Sequence, residues 1–214
     1  MQILGPRERA PARRDLGIGG RNRQGSAMVE LGEDAPGLRA PVVLVGMMGC
    51  GKTAVGTALA QRLGVPFRDT DEAIVAASRM TIPEIFERDG ERFFRDRETE
   101  VLRRLLAAGP GVVSTGGGVF LRPENRAAIA EAGTAVWLRA GLDLLWSRVR
   151  HKTTRPLLMT DDPRGTLARL LREREPSYAK APLVVDADPA YTVADMVSRV
   201  IDTLRGADLI AERA

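Results

Sequence analysis

From Pro41 onward the chain alternates short apolar runs with longer stretches whose apolar residues recur at helical spacing. The first run, Pro41–Val45, is apolar throughout and rich in β-branched residues, as a strand buried on both faces requires. Further strands are predicted at residues 66–70, 112–115, 135–138 and 183–185. After the first strand, Val55, Leu59 and Leu63 share one helical face, and Gly64 is placed to end the helix. A second helix is predicted over 71–78. Thr81, Pro83 and Glu84 then form a capping-box pattern that opens another. Gly90 precedes a long amphipathic helix carrying Phe94, Val101 and Leu105, which Gly109 and Pro110 stop. The remaining helices are predicted at Pro123–Ala132, at 143–149, through Leu167, Leu170 and Leu171, and at 193–204. Strands joined by helical returns predict an α/β fold, a five-stranded parallel sheet with helices on both faces.

The pattern holds only inside 41–206, which reads as one domain. Residues 1–40 are dominated by Gly, Pro and Arg without periodicity, so a disordered N-terminal extension is expected there, and 207–214 are expected to be a C-terminal tail. Residues 150–163 form a polar connection, long for its place and carrying two prolines, the profile of a lid.

Composition narrows the partners. Among 214 residues, 32 Lys and Arg stand against 28 Asp and Glu, a net charge of +4. Arg7, Arg9, Arg13, Arg14, Arg21 and Arg23 are interspersed with acids and lack aromatic neighbours, so nucleic acid is not expected as a partner. The single cysteine, Cys50, excludes an internal disulfide, and the single histidine, His151, excludes a His-rich metal site. No apolar run approaches the roughly 20 residues that cross a bilayer, and residues 1–20 lack the apolar core of a signal peptide. A soluble, cytoplasmic monomer without membrane contacts is expected.

The chemistry begins with Gly46, Met47, Met48, Gly49, Cys50, Gly51, Lys52 and Thr53, which match the phosphate-loop pattern G-x-x-x-x-G-K-[ST] at every fixed position. The strand before it and the helix after it are in the order the motif needs. Glycines let successive N–H groups turn toward phosphate oxygens, and the helix presents its positive end to the same anion. Lys52 is expected to reach the β- and γ-phosphates of a nucleoside triphosphate, and Thr53 to ligate Mg²⁺. Asp69 and Asp71 end the second strand, where alternation would turn both carboxylates toward the crevice, one for Mg²⁺ and one for an acceptor hydroxyl. Asp71 also suits the role of helix cap. Gly116, Gly117 and Gly118 follow the third strand and would offer backbone N–H groups to an oxygen-rich ligand. In the lid, Arg155 could supply charge to the transferring phosphoryl group.

Taken together these pieces resemble the shikimate kinase family. The matching elements are residues 46–53; Leu63, Gly64, Val65, Pro66 and Phe67 leading to Asp69, Thr70 and Asp71; and Ile85 and Phe86 with Asp89, Gly90 and Glu91. They continue with Phe94 and Arg95, Glu98, the glycine triplet, Arg155, Pro156, Leu157 and Leu158, and Arg174 shortly before Tyr178. The match runs over about residues 41–205. It implies a P-loop fold like that of nucleoside-monophosphate kinases, in three layers. The implied activity is phosphorylation of the 3-hydroxyl of shikimate by ATP on the route to aromatic amino acids. It further implies that Lys52, Asp71 and Arg155 are catalytic, and that residues 46–53, Arg148 and Arg155 bind ATP. Asp71, Phe86, Arg95, Gly116, Gly117, Gly118 and Arg174 would bind shikimate, and Thr53 with Asp69 would hold Mg²⁺. Cys50 stands where a small Ser or Ala is common in the family, and it reads as a spacer exposing only its backbone. A gluconate kinase of the same fold, or a nucleotide- or RNA-binding regulatory module, would share the loop without the combination of Asp71, Arg95 and Arg174.

Overall fold

A computed structural model describes residues 37–151 and 156–211. Its centre is strand β2 (Pro41–Val45), all five residues of which are buried. Around it the order is β3 (Phe67–Asp69), β4 (Gly111–Ser114), β2, β5 (Thr134–Arg139) and β6 (Leu183–Asp186), every pairing parallel. Val42 lies between Val112 and Thr134, and Val43 between Val113 and Ala135. Such a register packs mainly apolar side chains against both edges of the buried central strand.

Helices return the chain between strands: α1 (Lys52–Leu63), α2 (Thr70–Ser78), α3 (Ile82–Ala107), α4 (Pro123–Ala132), α5 (Leu142–Val149), α6 (Pro163–Tyr178) and α7 (Val193–Gly206). Short 3-10 turns lie at Val119–Leu121 and Pro156–Leu158. Helix α3 opens with the expected capping box, in which the Thr81 side chain accepts from the Glu84 N–H while Glu84 reaches back. It breaks at Gly90, where φ 81 and ψ 169 leave the helical region. No heavy atom would meet a Cβ at Gly90 within 4 Å, so this glycine serves the turn and not the packing.

Two apolar clusters result. The main core spans the sheet and includes Leu44, Leu59, Leu138, Leu167 and Leu204. A small satellite of Ile74, Ile85, Phe94 and Val101 joins α2 to α3. Helices α2 and α3 thus carry a hydrophobic anchor of their own.

Two expectations are corrected. Residues 37–38 and 210–211, assigned to the extension and the tail, form strands β1 (Gly37–Leu38) and β7 (Ile210–Ala211), which pair antiparallel, and Leu38 and Ile210 are buried. Runs of two residues carry no detectable alternation, so the pattern along the chain does not show them. The second correction is at Asp69 and Asp71. The strand ends at Asp69, whose carboxylate caps α2 by accepting from the Asp71 and Glu72 N–H groups. Asp71 therefore projects from a first helical turn and not from an extended segment, and capping falls to Asp69.

Candidate active site

The carboxyl ends of β2, β3 and β4 open into a cleft of about 970 Å³, where ligands of open parallel sheets collect. The phosphate loop forms one wall. Its glycines take positive φ, 137 at Gly46, 85 at Gly49 and 102 at Gly51, which only glycine adopts without strain. Met47, Met48 and Cys50 are buried, so these three positions offer the cleft little besides backbone. Lys52 is 9% exposed and curls under the loop, donating to the Gly46 carbonyl at 2.8 Å and the Met47 carbonyl at 3.2 Å. Its ammonium therefore sits inside the cradle that the loop forms. Arg148, from α5, donates to the Gly49 and Cys50 carbonyls, both at 3.3 Å, and lines the cleft.

Beside the loop, the Thr53 hydroxyl donates to Asp69 Oδ2 at 3.3 Å and lies 3.5 Å from the Ser114 hydroxyl. Asp69 divides its labour, since Oδ1 caps α2 while Oδ2 faces Thr53. Hard oxygen donors of this kind suit Mg²⁺, which commonly takes one or two protein ligands and completes its shell with phosphate and water. Among the described residues no group of three or more His, Cys, Asp or Glu is arranged around a metal position.

The other wall is the glycine triplet, and it is crowded by charged side chains. A Cβ on Gly116 would stand 2.7 Å from Asp71 Oδ1 and 2.9 Å from Glu98 Oε1. On Gly117 it would stand 3.4 Å from Arg174 Nη1 and 3.6 Å from the Tyr178 oxygen. On Gly118 it would overlap the Arg95 guanidinium. Two carboxylates and two guanidinia thus converge on three consecutive residues from three helices, α2, α3 and α6.

Arg95 is held there by Glu98 at 2.9 Å and by Glu91 at 3.2 Å, and lies over the rings of Phe94 and Phe86 at 5.2 and 5.9 Å from their centroids. Phe86 and Phe94 pack against each other at 4.6 Å between centroids. Burial opposes the charge on Arg95, but its two carboxylate partners more than offset it and hold the guanidinium charged. Glu98 is 1% exposed, and burial raises its pKa by more than Arg95 lowers it, with Asp71 adding a further rise.

Sequence reasoning assigned no role to three residues that shape this wall. Thr70, fully buried, accepts the Gly116 N–H at 3.0 Å, so that group is not left for a ligand. The Gly117 and Gly118 N–H groups have no acceptor among the described residues. Glu98 fixes Arg95, and Tyr178 donates to the Gly117 carbonyl at 2.6 Å. Glu98 lies three residues after Arg95 and Tyr178 four after Arg174, spacings that share a helical face, and this was the available signal. Arg155 lies outside the described residues.

The family model for shikimate kinase matches residues 48–205. The chain belongs to the shikimate kinase family. It is 59% identical over 170 residues to the shikimate kinase of Ruegeria pomeroyi, covering 79% of this chain and 87% of that relative. The structure of the Acinetobacter baumannii shikimate kinase in complex with shikimate superposes with a TM-score of 0.76 at 35% identity, covering 79% of this chain and 95% of that one. A gluconokinase from Sinorhizobium meliloti, at 20% identity and a TM-score of 0.51, shares the fold alone. As in other shikimate kinases, the activity is phosphoryl transfer from ATP to shikimate, and the chain is an enzyme of the shikimate pathway. Among the described residues no helix is long and apolar enough to cross a membrane.

Proposed function

We propose that the two walls divide the reaction between them, the loop holding the donor and the triplet holding the acceptor. The γ-phosphoryl group of ATP passes to the 3-hydroxyl of shikimate, forming the new P–O bond as the bond to the β-phosphate oxygen breaks. The observation that carries this reading is the convergence of Asp71, Arg95 and Arg174 on the glycine triplet beside the loop.

Each role follows from chemistry. Asp71 accepts a hydrogen bond from the acceptor hydroxyl and takes its proton as the new bond forms. Arg95 and Arg174 present planar forks to the shikimate carboxylate, with the Gly117 and Gly118 N–H groups and Phe86 completing the pocket. Lys52 and Arg155 stabilise charge on the transferring oxygens, and Arg148 packs toward the adenine. Thr53 and Asp69 Oδ2 would hold Mg²⁺, which neutralises phosphate charge when bound. The enzyme works as a cytoplasmic monomer. A lone cysteine, buried in the phosphate loop, suits a reducing compartment.

A coupled ADP-release assay across shikimate, gluconate and nucleoside monophosphates tests this reading. ADP is expected only with shikimate and Mg²⁺ together, and Asp71→Ala is expected to abolish turnover while ATP binding stays within about twofold, because Asp71 touches the acceptor and not the donor. Turnover of gluconate but not of shikimate would refute it.

A further inference from the structure

Tyr178 closes helix α6, is 1% exposed, and takes no part in any step assigned above. Its hydroxyl donates a 2.6 Å hydrogen bond to the Gly117 carbonyl, 61 residues away in sequence. The Gly117–Gly118 peptide is trans, as are all peptide bonds among the described residues. In a trans peptide the C=O and the N–H point to opposite sides. Fixing the Gly117 oxygen therefore fixes the direction of the Gly118 N–H, which no described residue accepts. Gly118 itself abuts the Arg95 guanidinium, and Gly117 abuts that of Arg174.

We infer that Tyr178 is a positioning residue, which holds the Gly117–Gly118 peptide so that the Gly118 N–H joins Arg95 and Arg174 in binding the acceptor's carboxylate. The inference rests on the reading of the triplet as the carboxylate end of the site. Without the phenol the Gly117 carbonyl loses its fixed donor, and a plane flanked by glycines turns at little steric cost. Burial pushes the Tyr178 phenol up to about 12, with the Arg174 guanidinium pulling the other way, so the hydroxyl stays a donor through the neutral range. The link is also geometric in a second sense, since Arg174 lies one helical turn before Tyr178 on α6. One helix thus places a fork for the carboxylate and the peg that orients the backbone beside it.

The test compares wild type with Tyr178→Phe on shikimate and on its methyl ester, which lacks the anion, at saturating ATP; an inhibition constant replaces KM if the ester is not turned over. The variant keeps the ring that packs 6.1 Å from Trp137 between centroids. Its KM for shikimate is expected to rise about tenfold, the effect of one lost hydrogen bond to a charged group. kcat and the KM for ATP are expected to stay within about twofold, and on the ester the two enzymes should agree within about twofold. An equal loss on both substrates, or no loss on shikimate, would overturn the proposal. If wild type fails to distinguish shikimate from the ester, the carboxylate reading itself falls; if it distinguishes them and Tyr178→Phe does so equally well, only the role of Tyr178 falls. Should the variant not fold, amide exchange in wild type decides: saturating shikimate is expected to protect the Gly118 amide, and its unchanged exchange overturns the proposal.

Discussion

The phosphate loop and the glycine triplet each follow a buried strand and each present backbone to a ligand, yet their glycines do different work. In the loop, Gly46, Gly49 and Gly51 all take positive φ, and the conformation is written within eight residues. None of the triplet's glycines does so; Gly118 sits at φ −91 and ψ −21, open to any residue. What the triplet requires is clearance, because Asp71, Glu98, Arg174, Tyr178 and Arg95 press against it. Its orientation comes from remote hydroxyls, Thr70 on the Gly116 N–H and Tyr178 on the Gly117 carbonyl. A loop that shapes itself binds what every nucleotide shares. A loop shaped by its neighbours takes its specificity from them.

The largest expected effect lies on the self-shaped side. Lys52→Ala removes the ammonium under the cradle and should lower kcat by about 10³-fold, in the range for losing a preorganised group that stabilises transition-state charge. The KM for shikimate should change by less than about threefold, because in the proposed division of the site the loop holds only the donor. Single-turnover kinetics with both substrates saturating would check this, and a loss confined to shikimate KM would erase the division between the walls. Next comes Gly118→Ala. Its backbone geometry accepts alanine, so only clearance is lost, and Arg95 must swing away. The KM for shikimate should rise about 10- to 100-fold, as expected when a charge-assisted contact is displaced, with ATP binding intact. A loss of ATP affinity instead would show that the triplet is not purely an acceptor wall.

The same contrast explains what could be read from the chain. The loop, its strand Pro41–Val45 and the return helix are local, so spacing and apolar pattern reveal them. Asp69 and Asp71 were legible as residues but not in geometry, because an N-cap turned the second carboxylate into a helix. Thr70 and Tyr178 gain their roles only through tertiary contacts, Thr70 with Gly116 across 46 residues and Tyr178 with Gly117 across 61. No periodicity marks such partners. Even the helical spacing of Glu98 from Arg95 says only that they share a face, not that the face is buried.

The smallest effect probes that burial. Glu98 is a carboxylate whose pKa is raised because the interior penalises its charge by more than Arg95 repays. A raised folded-state pKa means the folded chain holds the proton more tightly than the unfolded one. The contribution of Glu98 to stability is then present in full below the ordinary carboxylate range and is lost as pH rises through the raised value. Glu98→Gln removes this titration, so relative to wild type its Tm should gain steadily as pH climbs through the ordinary carboxylate range and above it. Activity should move the other way. Glutamine cannot balance the Arg95 charge, so the guanidinium is less firmly placed and the KM for shikimate should rise about threefold, the low end for a weakened polar contact. Thermal melts across that range, with shikimate KM measured alongside, separate two ideas of why a charge is buried here. If the Tm difference is flat with pH, Glu98 is not penalised as described. If the Tm difference grows while KM worsens, the acceptor wall gives up stability to hold Arg95 in place, as the self-shaped loop has no need to do.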